Sequence, residues 1–279
     1  MKNILLTIEY DGSDFAGWQK QPGRRTVQGE LEHALSELCG QTVALEGASR
    51  TDAGVHAFGQ QATLQGNFGI PTERIPAAAN GLLAVGRPGR RDLTAPFGDL
   101  RIAAACEKPA GFHARFSAAG KTYRYRIRNA AQPDIFQRNY CYQINRCLNT
   151  AAMRTASEQL IGEHDFRAFM SAGGNGSYEG QSTVRTIYDI DLDIKTLHPT
   201  PCETPFNPCE INLTITGNGF LYNMVRIIAG TLTEVGLGRI DPAAVTGILT
   251  AGDRTRAGHT APPQGLYLVK VHYPSEKGE

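Results

Sequence analysis

The sequence predicts a mixed α+β fold (α/β mixed), and three observations carry that expectation. Runs of strand character such as 3–10, 121–128 and 184–194 alternate with segments whose apolar residues recur at helical spacing, such as 27–38 and 221–235. Strand-helix-strand groupings occur in both halves of the chain. Apolar residues make up 41% of the 279 positions and charged residues 20%, which supplies a substantial core and excludes a disordered or bilayer-spanning composition. The groupings predict two related ferredoxin-like subdomains sharing one sheet, residues 1–110 and 111–279.

Residues 3–10 read as a strand, followed by a loop with Gly12, Gly17 and the single tryptophan, Trp18, and by a basic turn from Gln19 to Arg25. A helix comes next. Thr26 caps it, Val27, Leu31, Ala34, Leu35 and Leu38 form its apolar stripe, and Gly40 stops it. Small and branched residues make Thr42–Ala48 an expected strand, and its end leads into Gly47-Ala48-Ser49-Arg50-Thr51-Asp52-Ala53-Gly54-Val55-His56-Ala57. There a short polar turn presents the Asp52 carboxylate between an arginine and a glycine. Gly54 lets the backbone turn sharply, and Arg50 is near enough to hold the carboxylate ionised or to reach a substrate. Thr51-Asp52-Ala53-Gly54 alone reads as an ordinary turn.

Further along, Gly59–Gln65 reads as a strand, Ile70–Leu83 as a helix interrupted near Pro76, 86–99 as a loop rich in Gly, Pro and Arg, and Leu100–Cys106 as a strand. Phe112–Phe116 then leads into Lys121–Arg128, where Tyr123, Tyr125 and Ile127 alternate with Thr122, Arg124, Arg126 and Arg128. Aromatic rings backed by arginines fit RNA, since rings stack on unpaired bases while cations meet phosphates. A half-buried strand with a solvated basic face fits the same pattern.

The second half has a helix over 150–161, then His164-Asp165-Phe166 and a glycine-rich loop at Ala172–Gly176 that lacks the ending of a P-loop. Val184–Ile194 and Glu210–Gly217 read as a hairpin joined by a proline-rich loop, 198–208, with Asp189, Asp191 and Asp193 on a wet face. After Gly219 a helix carries Leu221, Met224, Val225, Ile227, Ile228, Ala229, Leu232 and Val235 around most of its circumference. Arg226 takes the narrow remaining face, and a guanidinium there calls for an anionic partner. A helix near Asp241–Thr250 and a strand at Leu266–Val271 end the chain.

Net charge is +1, so any nucleic-acid surface must come from clustering: Lys20, Arg24 and Arg25; Arg87, Arg90 and Arg91; Lys121, Arg124, Arg126 and Arg128; Arg254 and Arg256. The six cysteines, Cys39, Cys106, Cys141, Cys147, Cys202 and Cys209, contain no Cys-x-x-Cys pair and are expected as reduced, mostly buried thiols. None of the seven histidines forms a closely spaced ligand pair, so no metal is expected, and His56 is assigned a structural role. No apolar run spans a bilayer, and the first segment meets Glu9 too early for a secretory leader. A cytoplasmic protein is expected, with no membrane partner.

Ser49-Arg50-Thr51-Asp52-Ala53-Gly54-Val55-His56 resembles the active-site motif of the TruA family of tRNA pseudouridine synthases. Further similarity follows in the family's order at Ile8–Gly12 with Gly17-Trp18-Gln19, Thr26-Val27-Gln28, Phe112–Ala118, Lys121–Tyr125, Gly162–Phe166, Asn223-Met224-Val225-Arg226 and Gly265–Val269. The resemblance implies the pseudouridine synthase fold: two halves of mainly antiparallel sheet with helices packed on it, a central active-site cleft, and a homodimer. It implies conversion of uridine to pseudouridine in the tRNA anticodon stem-loop, at positions 38, 39 and 40, with no cofactor. Asp52 would be the catalytic carboxylate, either as nucleophile on the sugar or ring or as the base that removes a sugar proton. Arg50 would fill the space left by the flipped base, Tyr123 would stack on the uracil, with Tyr125 as a rival, and Arg226 would keep Asp52 ionised. Leu266 would form an apolar wall, and Lys20, Arg24 and Arg124 would contact substrate. The stretches 86–99 and 198–208 look longer than the family's connections.

Two other classes compete with this reading. A non-catalytic RNA-binding module with an RRM-like sheet would use the aromatic and basic strand but not Asp52. A glycosidase-like hydrolase would need a second carboxyl group of raised pKa opposite the first, and the sequence offers no convincing partner.

Overall fold

The computed structural model describes residues 1–66, 68–85, 98–172, 182–197 and 207–274. Most of the loops 86–99 and 198–208, the glycine-rich loop beyond Ala172, the arginines at 87, 90 and 91, and Cys202 lie outside them. The chain divides into two compact units, Met1–Ala119 together with the C-terminal stretch from Tyr267, and Gly120–Leu266.

In the first unit, β1 (Lys2–Tyr10) lies antiparallel between β3 (His56–Gly66) and β4 (Leu100–Lys108). A late strand, β10 (Leu266–His272), joins β3 in parallel, with Tyr267 and Leu268 opposite His56 and Ala57. Strand periodicity sets the core face: Ile4, Leu6 and Ile8 are fully buried, opposite Leu64, Ala62 and Gln60. The helix α1 (Val27–Cys39) adds Val27, Leu31, Ala34 and Leu35 to that core. Its ends are those expected, with Thr26 Oγ1 accepting from Gly29 N at 3.3 Å and Gly40 in the left-handed region at φ 63°.

Two expectations are corrected here. Of Thr42–Ala48 only Glu46–Gly47, β2, pairs as a strand, because the residues before it are tied to α1: Val43 N donates to Ser36 Oγ and Leu45 N to Glu32 Oε1, both at 2.9 Å. The helix α2 (Ile75–Val85) begins after a 3-10 turn at Thr72–Arg74, so Pro76 sits in its first turn, where a missing N–H costs nothing, and does not interrupt it.

The second unit orders β5 (Gly120–Asn129), β9 (Cys209–Gly217), β8 (Val184–Thr196) and β7 (Gly162–Asp165) side by side, all antiparallel, with β6 (Tyr142–Ile144) parallel to β5. The expected hairpin is present as β8 and β9. Tyr123, Tyr125 and Ile127 are buried while Arg124, Arg126 and Arg128, on the opposite face, are half-buried. Its described residues include the helices α3 (Thr150–Glu158), α4 (Met224–Gly236) and α5 (Val245–Ala251). The fold is thus α+β with mainly antiparallel strands, and none of its described helices is long and apolar enough to cross a membrane.

The thiols depart from expectation. Cys141 and Cys209 are buried, Cys39 is half-buried, and Cys106 and Cys147 are exposed, since the last two fall on outward strand and loop positions.

Gly230 of α4 lies so close to the carbonyl oxygen of His259 that a methyl group would overlap it. Gly230→Ala is therefore expected to lower stability by about 3 kcal/mol in urea denaturation. Burial disfavours the Glu210 carboxylate, but hydrogen bonds from Arg126 (2.9 Å) and Asn212 (3.2 Å) outweigh it and hold the carboxyl below its usual range. A depressed carboxyl stabilises the fold above its unfolded pKa and stops doing so as pH falls through its folded value. The acid side of a Tm-against-pH curve should be flatter in Glu210→Gln than in the unmodified chain.

Candidate functional site

Asp52 sits on the turn between β2 and β3, half-buried, while Arg50 is exposed and Thr51 is buried. The turn closes on itself, with Val55 N donating to Asp52 O at 3.2 Å across Gly54 at φ 79°. It is also clamped from outside. Trp18 N donates to Thr51 O at 3.0 Å, Tyr10 Oη and Thr51 Oγ1 are 2.8 Å apart, and Gly12 N donates to His56 Nδ1 at 3.1 Å. A side chain on Gly17 would fall 2.7 Å from Thr51 O and 3.1 Å from the Asp52 carbonyl carbon, and one on Gly12 would overlap Val55. The Trp18 ring lies flush on Gly47 at the start of the turn.

From below, Gln60 fixes the same segment. Its amide accepts from Ser49 N at 3.3 Å and donates to Ser49 O at 2.7 Å, and the side chain is fully buried. A carboxylate on such a frame keeps one direction without the entropic cost of ordering a loop on binding. His56 is buried, stacked on Tyr267 with ring centroids 4.7 Å apart, as suits a structural residue.

The second unit holds the other predicted residues. Tyr123 is 6% exposed, with the ring of Phe220 edge-on at 5.2 Å. Tyr125 is fully buried and donates its hydroxyl to Pro262 O at 2.7 Å. Burial pushes its phenol well above the ordinary value, against the opposing effect of Arg226, so it stays protonated as a structural donor. Arg226 donates from Nε to Ala261 O and from Nη1 to Asn223 Oδ1, both at 2.8 Å. The segment that receives it is pinned to α4, with Gly258 N donating to Thr231 Oγ1 at 2.9 Å and Ala261 N to Arg226 O at 3.1 Å, and Arg254 Nη1 ties its start by donating to Gly258 O at 2.8 Å. Leu266 ends this segment at 7% exposure, behind Gly265, whose Cα packs on the Tyr125 ring.

The predicted cations differ in their engagements. Arg25 forms a two-pronged pair with Asp99 (2.6 and 2.8 Å), which raises its pKa, and lies over the Phe15 ring at 4.0 Å. Lys20 pairs with the buried Glu32 at 2.8 Å, whose hydrogen bond raises the ammonium pKa. Arg24 is exposed. Arg124 stands on the opposite face of the sheet from Tyr123, beside Arg154, Asn212 and Thr214. The cluster at 20–25 is thus mostly committed to internal pairs.

Sequence reasoning overlooked Gln60, Asn223 and the Ala261–Pro262 carbonyls. Gln60 had a signal, because it shares the inward register of Ala62 and Leu64 and is a polar residue at a core position. Backbone carbonyls carry no such mark. Among the described residues no group of three His, Cys, Asp or Glu side chains is placed to hold a metal ion; His113 Nδ1 accepts from Arg115 N at 3.0 Å, and His164 Nε2 lies 3.0 Å from Ile161 O.

Comparison with known proteins adds to this geometry. The chain matches a family described as tRNA pseudouridine synthase over residues 6–93 and 156–274. It is 44% identical over 273 residues to tRNA pseudouridine synthase A of Caldicellulosiruptor bescii, covering 98% of this chain and 100% of the relative. With tRNA pseudouridine synthase A of Bacillus subtilis it shares 44% identity over 272 residues, 97% of this chain and 98% of the relative.

The glycine contacts at the Asp52 turn make a direct test of the clamp. Gly17→Ala, at φ 95° and against Thr51 O, should cost about 2–3 kcal/mol in urea denaturation and shift the backbone amide resonances of Thr51 to Gly54.

Proposed function

Because the chain belongs to the tRNA pseudouridine synthase family, which are isomerases, we propose that it converts uridine to pseudouridine in the anticodon stem-loop of tRNA, at positions 38, 39 and 40, with Asp52 as the catalytic carboxylate. The observation that carries this reading is the Asp52 turn, a half-buried carboxylate held by backbone contacts from Gly17 and Trp18 and by the Gln60 amide.

The reaction is balanced internally. The bond from uracil N1 to the ribose C1′ breaks, a bond from C5 to C1′ forms, the C5 proton is released, and N1 gains one. No redox change occurs and no group is lost. Asp52 acts as nucleophile on the sugar or ring, or as base toward a sugar proton; both routes use its ionised form. Arg226, held by bonds to Ala261 O and Asn223 Oδ1, supplies the positive charge that favours that form. Arg50, exposed and next but one to Asp52, fills the space of the extruded base. Tyr123 stacks on the uracil and assists at the C5 proton, and Leu266 forms an apolar wall.

Lys20 and Arg24 meet phosphates beside the Asp52 loop, Lys20 by exchanging Glu32 for the RNA. Arg124, on the other sheet face from Tyr123, contacts RNA away from the reacting nucleotide. The family resemblance supports a homodimer and a cytoplasmic location.

With tRNA carrying tritium at uracil C5, Asp52→Asn should reduce label release by roughly a thousandfold or more while the Kd for tRNA stays within about threefold. Equal losses of binding and turnover would sink the chemical role of Asp52. Tight tRNA binding by the unmodified chain without any release of label would select the non-catalytic RNA-binding module.

A further inference from the structure

Asn223 is the one non-glycine residue at positive φ among the described residues, at φ 61° and ψ 5°. It occupies the position before the first turn of α4, where an asparagine ordinarily accepts from a helix N–H, yet its side chain makes no such bond. Its amide is turned to other partners. Oδ1 accepts from Arg226 Nη1 at 2.8 Å, and Nδ2 donates to Ser171 Oγ at 3.0 Å. A guanidinium only donates, so the oxygen of the amide must face it, and the nitrogen must then face Ser171. The backbone around this link is fixed too: Ser171 N donates to Tyr222 O at 3.2 Å, and Ile227 N to Asn223 O at 2.9 Å.

A left-handed backbone and a forgone helix cap are both unfavourable, and both are explained if the amide is needed where it is. We infer that Asn223 is a positioning residue for Arg226, setting the direction of its guanidinium through the Oδ1 bond, with Ser171 locking the amide in that orientation. With Nε held by Ala261 O and Nη1 by Asn223, the guanidinium plane is fixed by two bonds from different segments. The inference deepens the proposed function and rests on its assignment of Arg226 to the reaction.

Asn223→Gly removes the amide yet keeps a residue that accepts φ 61°, so Tm should stay within a few degrees. In the tritium-release assay its kcat should fall about 10- to 100-fold, the worth of a hydrogen bond to a charged group, with the Kd for tRNA within about twofold. Ser171→Ala, which leaves the α4 backbone untouched, should lower kcat about two- to fivefold. An Asn223→Gly enzyme within twofold of the unmodified kcat, or one whose Kd for tRNA weakens as far as its kcat falls, would overturn the inference. Arg226→Ala separates the two levels, because full turnover by that variant would remove the role of Arg226 itself.

Discussion

The close approach of two backbone segments around Asp52 is the constraint on which the rest of the first unit depends. Gly12 and Gly17 lack the atoms that would keep the loop after β1 away from residues 51–55, and only that contact lets Trp18 N reach Thr51 O and Gly12 N reach His56 Nδ1. The turn is thereby held both by a main-chain bond from Trp18 and by a bond to the buried His56 ring. Gln60 extends the same logic from the sheet, since its fully buried amide satisfies both backbone groups of Ser49 and would be costly to leave unpaired. The carboxylate at the centre inherits its rigidity from these neighbours.

In the second unit the corresponding anchor is α4. Its buried circumference packs the helix in one orientation, and the segment 257–266 is bound along it: Gly258 N donates to Thr231 Oγ1, Ala261 N to Arg226 O, and Arg226 Nε to Ala261 O. Arg226 is the one guanidinium on that helix, and it donates to the Asn223 amide and the Ala261 carbonyl. Two bonds to different segments fix the plane of that guanidinium. Tyr125, fully buried and pushed upward in pKa by that burial, serves this frame through its bond to Pro262 O.

Charge illustrates how composition and structure answer different questions. A net charge of +1 conceals clusters that look like phosphate-binding surfaces. Folding commits Arg25 to Asp99 and Lys20 to Glu32, and places Arg124 on the sheet face away from Tyr123. Which cations remain for a ligand therefore depends on partners seventy or more residues away for Arg25, and on one helix for Lys20.

The α+β class, the helices, most of the strands though not β6 and β7, and the position of Asp52 between two strands were legible along the chain, because period-2 and period-3.6 patterns, caps and turn glycines are local properties. Local pattern failed where the competition was tertiary: residues 42–45 have strand composition but are tied to Ser36 and Glu32 of α1, and Pro76 looks like a break until the helix start is known to lie at Ile75. The exposure of Cys106 and Cys147 likewise followed from which face each position takes. By itself the sequence determined the fold class and the chemical types available, carboxylate, guanidinium and aromatic ring. Only the tertiary structure decided that Gln60, Asn223 and the carbonyls of Ala261 and Pro262 hold those groups in place, because hydrogen bonds between distant segments depend on distances that no local pattern encodes.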